Sequence, residues 1–268
     1  MSDCKISITT HCNFRCKTCP VWEHKGNHMD LDEFKLMWLK LMESKDVTRI
    51  LLNNTGDMYM HPRRKEIWEY IETHHFKPVI MTTNAGLMDY VPKIDLIIIS
   101  FNGGTKESYE YTTGADFNKT VARIREHYPE LSKRNVEMHC LMWEGNEGTE
   151  KDLAELWKDF PGKIRLSYKY DNQMKEDKTI EKYKNNDRVY CDYLNMLSIM
   201  PDGKIISCAH DFEAVTDFGN IFTDSMDSVM MNKNRKKKQH EHYEGIYSGL
   251  CKDCNYNTSL VGKFKYIK

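Results

Sequence analysis

Apolar positions in the first two thirds of the chain fall alternately into short runs and helical stripes. Lys5–Thr9 reads as a first strand that delivers a cysteine-bearing loop. Asp30 then stands where a helix begins, with Glu33 three residues on in capping-box spacing. Behind it Leu31, Phe34, Met37, Trp38, Leu41 and Met42 recur at helical spacing. Arg49–Asn53 predicts a second strand, Arg63–Thr73 a helix and Pro78–Thr82 a third strand. Ile94–Phe101 is the clearest strand, because Leu96 to Ile99 form a continuous apolar run of the kind found in parallel strands buried on both faces. A helix over Asn118–His127 follows, with Phe117, Val121 and Ile124 on one side, and then a fifth strand over Val136–Trp143. Thr149 and Asp152 have the spacing of a second capping box, opening a helix that turns Leu153, Leu156, Trp157 and Phe160 inward. Lys163–Tyr168 is the sixth strand.

Strands separated by helices predict an α/β fold with a parallel sheet and right-handed crossovers. A closed eight-stranded barrel takes about 250 residues, and here the alternation stops near residue 170. The expectation is a partial (β/α)6 barrel over residues 1–170, a charged linker over 171–187, and a separate carboxy-terminal unit over 188–268. In that unit Pro201-Asp202-Gly203 is a turn signal. It predicts a hairpin of Leu197–Met200 and Lys204–Ser207, followed by a helix near Met226–His242.

Composition narrows the class. The 268 residues carry a net charge of −1, so no global field points to nucleic acid. The basic run Lys233–Lys238 reads as a solvated helix face. Sixteen methionines are read as core packing rather than a cofactor box. No signal peptide precedes the first strand, and no apolar stretch approaches the length of a membrane span. Nine cysteines in such a chain argue for metal ligation in a reducing cytoplasm rather than for disulfides.

Seven of those cysteines fall into two sets. Cys12, Cys16 and Cys19 stand on one loop, Thr10-His11-Cys12-Asn13-Phe14-Arg15-Cys16-Lys17-Thr18-Cys19-Pro20. Three thiolates there can hold three irons of a [4Fe–4S] cluster and leave the fourth iron open. A zinc site completed by His11 or His24 is the alternative. Cys191, Cys208, Cys251 and Cys254 form the second set, four thiolates that suit either a fully ligated cluster or a structural zinc. Cys140, in a strand, reads as a small buried hydrophobe.

The first loop resembles that of the radical S-adenosylmethionine (SAM) enzymes, and later loops follow the same order. In that superfamily SAM chelates the open iron, and reductive cleavage yields a 5′-deoxyadenosyl radical that removes a hydrogen atom from substrate. Thr55-Gly56-Asp57 takes the place of the family's Gly-Gly-Glu, which holds the SAM amino group, with the family's following proline replaced by Met58. Thr83-Asn84-Ala85-Gly86 resembles its Thr-Asn-Gly turn, and Ser100-Phe101-Asn102-Gly103 its ribose-binding segment. The resemblance implies SAM contacts from Gly56, Asp57, Asn84, Ser100, Asn102 and Asn146. Where the family often has an aromatic residue before the third cysteine stands Thr18, and Phe14 or Trp22 would supply the apolar contact.

The second set, in the order Cys, Gly-x₄-Cys, Gly-Asn-Ile, Cys-x₂-Cys, resembles the auxiliary-cluster tail of the SPASM/twitch branch, in its shortened single-cluster form. Within that branch the tail resembles most those of dehydrogenases that oxidise a ring alcohol of an aminoglycoside precursor. Such chemistry implies a base, with Arg165, Tyr168, Lys169 and His210 as candidates, and an auxiliary [4Fe–4S] cluster that accepts the second electron. It also implies an external donor such as flavodoxin or ferredoxin. The chain opens close to its first strand, leaving no room for the amino-terminal peptide-recognition domain of many peptide maturases. The expectation is therefore a small polar or sugar-like substrate, with peptide modification, or a non-catalytic iron–sulfur or zinc protein, as the rivals.

Overall fold

The computed structural model describes residues 2–53, 55–168, 190–252, 254 and 264–268. Its centre is a run of parallel strands, β1 (Ser2–Ile6), β2 (Val47–Leu52), β3 (Val79–Thr83), β4 (Leu96–Ser100), β5 (Val136–Met142) and β6 (Lys163–Tyr168). Each pairs in parallel with the next in sequence. The sheet does not close on itself, which makes it a partial barrel. Helix α1 (Leu31–Glu43) stands between β1 and β2, and α2 (Arg64–His74) between β2 and β3. The Asp30 carboxylate caps α1 by accepting from the Asp32 and Glu33 amides, and all six residues of the predicted stripe are buried.

The strands are buried on one face only. In β4 Ile97 and Ile99 are fully buried, whereas Leu96, Ile98 and Ser100 are half-buried, and β1, β3 and β5 alternate in the same way. The apolar run in β4 had suggested burial on both faces. The difference arises because helices cover only the outer face, while the inner face lines a concave space. Period-two geometry then puts Lys5, Thr82 and His139 on the inner wall, between buried neighbours.

Three local readings change. The first strand begins three residues earlier than expected, and Thr9 instead bridges to His28. Helix α3 (Lys106–Thr113) leads into the expected helix, here α4 (Phe117–Glu126), and the short α5 (Tyr128–Leu131). Its buried face is Ser108, Tyr109, Thr112 and Thr113, so no apolar stripe announces it. The signal that was present is the capping box of Thr105 with Ser108 and the left-handed Gly114 at its end. At α6 (Glu150–Leu156) the expected capping box does not form. The Thr149 hydroxyl instead donates to the Asn146 carbonyl and accepts from the Gly104 amide.

The predicted hairpin exists as β7 (Leu197–Ile199) and β8 (Ile205–Ile206), but it is not a separate sheet. β7 runs parallel to β1, with Lys5 opposite Ser198, so the second cysteine region is joined to the sheet edge beside the first. The expected single helix after it is two, α7 (Met226–Met230) and α8 (Lys233–Tyr243), divided where the Asn232 side chain accepts from the Asn234 and Arg235 amides. At the other edge β9 (Phe264–Tyr266) pairs antiparallel with β6. The predicted linker over 171–187 lies outside the described residues.

Candidate active site between two cysteine sets

The loop after β1 is held from several sides. The Arg15 and Lys17 amides donate to the Thr113 and Thr112 carbonyls at the end of α3, both at 2.9 Å. The Arg15 guanidinium donates to the Cys12 carbonyl at 2.9 Å, and the Cys19 amide to that of Cys16. From the loop after β3, the Asn84 amide group approaches the Cys12 sulfur at 3.6 Å and donates to Asn13 at 3.0 Å. Gly56, at φ +71°, lies so close beneath the loop that a Cβ there would stand 2.3 Å from the Thr9 carbonyl oxygen.

Asp57 joins the second and third loops. Its carboxylate is buried, accepting from the Tyr59 amide at 3.0 Å and from the Thr83 hydroxyl and Asn84 amide at 2.9 and 2.8 Å. Burial raises its pKa, and those donors oppose the rise. Asp57 thus braces Asn84, which itself touches Cys12. Asn102 accepts from the Leu141 amide at 2.8 Å and lies 3.3 Å from the Ser100 hydroxyl, tying the ends of β4 and β5. Asn146 is buried and closes the loop after β5, accepting from the Trp143 amide and donating to the Leu141 carbonyl. Thr18 and Phe14 are buried, Phe14 packing edge-on to Tyr109, whereas Trp22 is partly exposed and donates to the Cys16 carbonyl.

Burial pushes the Cys12 thiol up to about 11 and also raises Cys16 and Cys19, with neighbouring cysteines adding to the rise at Cys12 and Cys16. The second set shows the same mutual influence. Cys191 is raised to about 11 and Cys208 to about 12, first by burial and then by each other's neighbours, Cys254 and Cys251 acting on Cys191, Cys191 and Cys254 on Cys208. Three segments distant in sequence therefore bring four sulfurs into one field. Thiols in such surroundings become thiolates only against a strong cation, which is how metal loading releases their protons. Among the described residues no three His, Cys, Asp or Glu side chains converge closely enough for a single ion.

Between the two sets lies a cavity of about 430 Å³ on the inner wall of the barrel. Cys19 borders it from the first set, and Ala209 and His210, next to Cys208, from the second. Of the candidate bases, His210 lines it, and burial followed by the Lys5 charge holds its pKa down to about 4. Arg165 is ion-paired with Glu137 on the neighbouring strand. The side chain of Tyr168, and Lys169 altogether, lie outside the described residues.

Lys5, His139 and Tyr193 also line the cavity and were not singled out from the sequence. His139 shares a hydrogen bond of 2.6 Å with the Ser167 hydroxyl, and burial, then Arg165, lowers it to about 4. Strand alternation was the available signal. Lys5 lies between buried Cys4 and Ile6, and His139 between buried Met138 and Cys140.

Residues 191–255 match the family of SPASM iron–sulfur cluster-binding domains. By fold the chain is similar to SuiB of Streptococcus suis bound to precursor peptide SuiA, with a TM-score of 0.69 and 11% identity over 89% of this chain and 67% of that one. It is similar to anSMEcpe with bound AdoMet and Cp18Cys peptide, at 0.64 and 15% over 90% and 83%. BtrN in complex with AdoMet and 2-DOIA matches at 0.60 and 16% over 96% and 93%. No curated protein sequence matches the chain. The chain thus carries a three-cysteine loop on a partial barrel, joined to a tail that matches an iron–sulfur cluster-binding domain. What the comparisons show is a SPASM iron–sulfur cluster-binding domain over residues 191–255 and, over most of the chain, a fold shared with SuiB, anSMEcpe and BtrN.

Proposed function

We propose that the chain is a radical SAM oxidoreductase that oxidises a small polar substrate held in the cavity between the two cysteine sets. The observation that carries this reading is that one cavity borders both sets, with Cys19 on one side and Ala209–His210 on the other. Cys12, Cys16 and Cys19 would hold the SAM-binding cluster, and Cys191, Cys208, Cys251 and Cys254 the auxiliary one. When bound, these groups supply a hydrogen-abstracting radical at one side of the cavity and a one-electron acceptor at the other. A donor such as flavodoxin or ferredoxin would provide the reducing electron.

The chain's own residues orient the substrate and move its proton. Arg165 is a permanent cation fixed by Glu137, so it can donate hydrogen bonds but takes no proton. His210 and His139 are neutral near pH 7, and each offers a nitrogen lone pair or an N–H according to tautomer. His210, beside the second cysteine set, is the acceptor this arrangement favours. The inner wall of the barrel, apolar at Leu51 and polar at Thr82 and Asn53, closes the rest of the space.

The test is anaerobic reconstitution followed by reduction in the presence of SAM. The protein should carry about eight irons, two cubes of four, and form 5′-deoxyadenosine. Cys251→Ala/Cys254→Ala should lose half the iron and still form 5′-deoxyadenosine, whereas replacing Cys12, Cys16 and Cys19 by Ala should abolish it. Zinc in the second site in place of iron would overturn the electron-acceptor role. Peptide modification is the second reading, favoured by the likeness of fold to SuiB and anSMEcpe, whose structures hold peptides. A redox-neutral change in a peptide would decide for it.

A further inference from the structure

The cavity has an uneven charge. Among the described residues its lining includes one ammonium, Lys5, two imidazoles and no carboxylate. Lys5 projects from β1 to within 4.0 Å of the Tyr193 ring centroid, and no carboxylate among the described residues pairs with it. The ring steadies the cation but takes up none of its three N–H donors. Other charges nearby are already matched. Arg165 faces Glu137, and the Asp57 carboxylate, behind Gly56, is turned to Thr83 and Asn84. The His139 ring is taken up by the Ser167 hydroxyl at 2.6 Å. A half-buried ammonium whose donors meet no acceptor side chain among the described residues, in a space with no carboxylate on its described lining, is matched by an anion. One cation, with no second lysine or arginine on the described lining, suits the single charge of a carboxylate better than a phosphate dianion.

We propose that this cavity selects a substrate bearing a carboxylate, and that Lys5 is the residue that holds it. The inference rests on the reading of the cavity as the substrate site and deepens it. It sets the chain apart from a protein built for a cationic amino sugar, which Lys5 would repel. It also gives β1 a double duty: the strand presents the first cysteine loop at its end and the substrate anchor at its middle, so the anchored group has a fixed position relative to both cysteine sets.

The experiment uses the fully reconstituted protein saturated with SAM, which occupies its own carboxylate site. Binding of acetate and of its neutral isostere acetamide is measured by saturation-transfer NMR, with inorganic phosphate as competitor. Acetate should bind about tenfold or more tightly than acetamide, the scale of a charge-assisted hydrogen bond. Lys5→Met should remove that preference and Lys5→Arg should keep it, with iron content confirming that each variant is folded and loaded. Equal binding of the two probes, or a preference that survives in Lys5→Met, overturns the proposal. So does displacement of acetate by phosphate at lower concentration, which would assign the site to phosphate. If Lys5→Met leaves acetate binding intact and lowers only the reduction potential of the auxiliary cluster, Lys5 is a counter-charge to the cluster and the proposal fails. Formation of 5′-deoxyadenosine is scored separately on the unaltered protein. Its absence counts against the radical reading and leaves the carboxylate site standing.

Discussion

The two cysteine sets are assembled in opposite ways. The first is local, with Cys12, Cys16 and Cys19 within eight residues on a loop pinned by backbone bonds to Thr112, Thr113 and Asn27, with Gly56 and Asn84 against it. The second gathers Cys191 before a short turn, Cys208 after β8, and Cys251 and Cys254 after α8. Protein bonds alone hold the first loop in shape. The second needs the chain to return over more than forty residues between Cys208 and Cys251, and a bound cluster would itself close that loop. The first loop is thus pre-organised by the barrel, while the second set would depend on a bound metal, because closing long loops costs entropy that ligation repays.

That contrast can be broken most directly by removing metal. Chelation of both clusters should leave residues 2–168 protected against limited proteolysis and open cleavage sites after residue 208. Equal protection of both regions in the metal-free protein would show the tail to be as pre-organised as the barrel. A smaller effect is expected at the first loop from Gly56→Ala. The added Cβ meets backbone at 2.3 Å in a left-handed conformation, so a loss of about 4 kcal/mol in stability, with iron lost from the first site, should be seen. Chemical denaturation measures it, and an unchanged midpoint would mean that the loop can shift after all. The smallest effect belongs to Asp57→Asn. The amide turns one NH₂ toward the Tyr59 amide or toward the Thr83 and Asn84 donors, and about 1–3 kcal/mol should be lost. Weakened SAM binding should follow through the displaced Asn84, and Asn84→Ala on top of Asp57→Asn should then weaken it little further.

Much of this was legible in the chain. The stripe of α1 is the clearest case, since its six apolar residues and the Asp30 cap depend only on neighbours within a few turns. Strands β3 to β6 were readable for the same reason, each being a short apolar run recognisable within its own segment. α3 was not, because hydroxyl groups rather than apolar side chains form its buried face. The Thr149 cap failed because a tertiary partner, the Gly104 amide, was the competing bond.

The sequence by itself determined which residues could carry chemistry: seven cysteines in two spacings, and an order of loops that resembles the radical SAM pattern. Such motifs lie within single segments, and their meaning survives without knowledge of where the segments go. Only the tertiary structure decided that β7 lies against β1, that Asp57 is a brace between two loops, and that Lys5, His139 and His210 face one cavity. Those facts join residues up to two hundred positions apart, and a single chain read in order has no signal for which of its half-buried inner faces will meet.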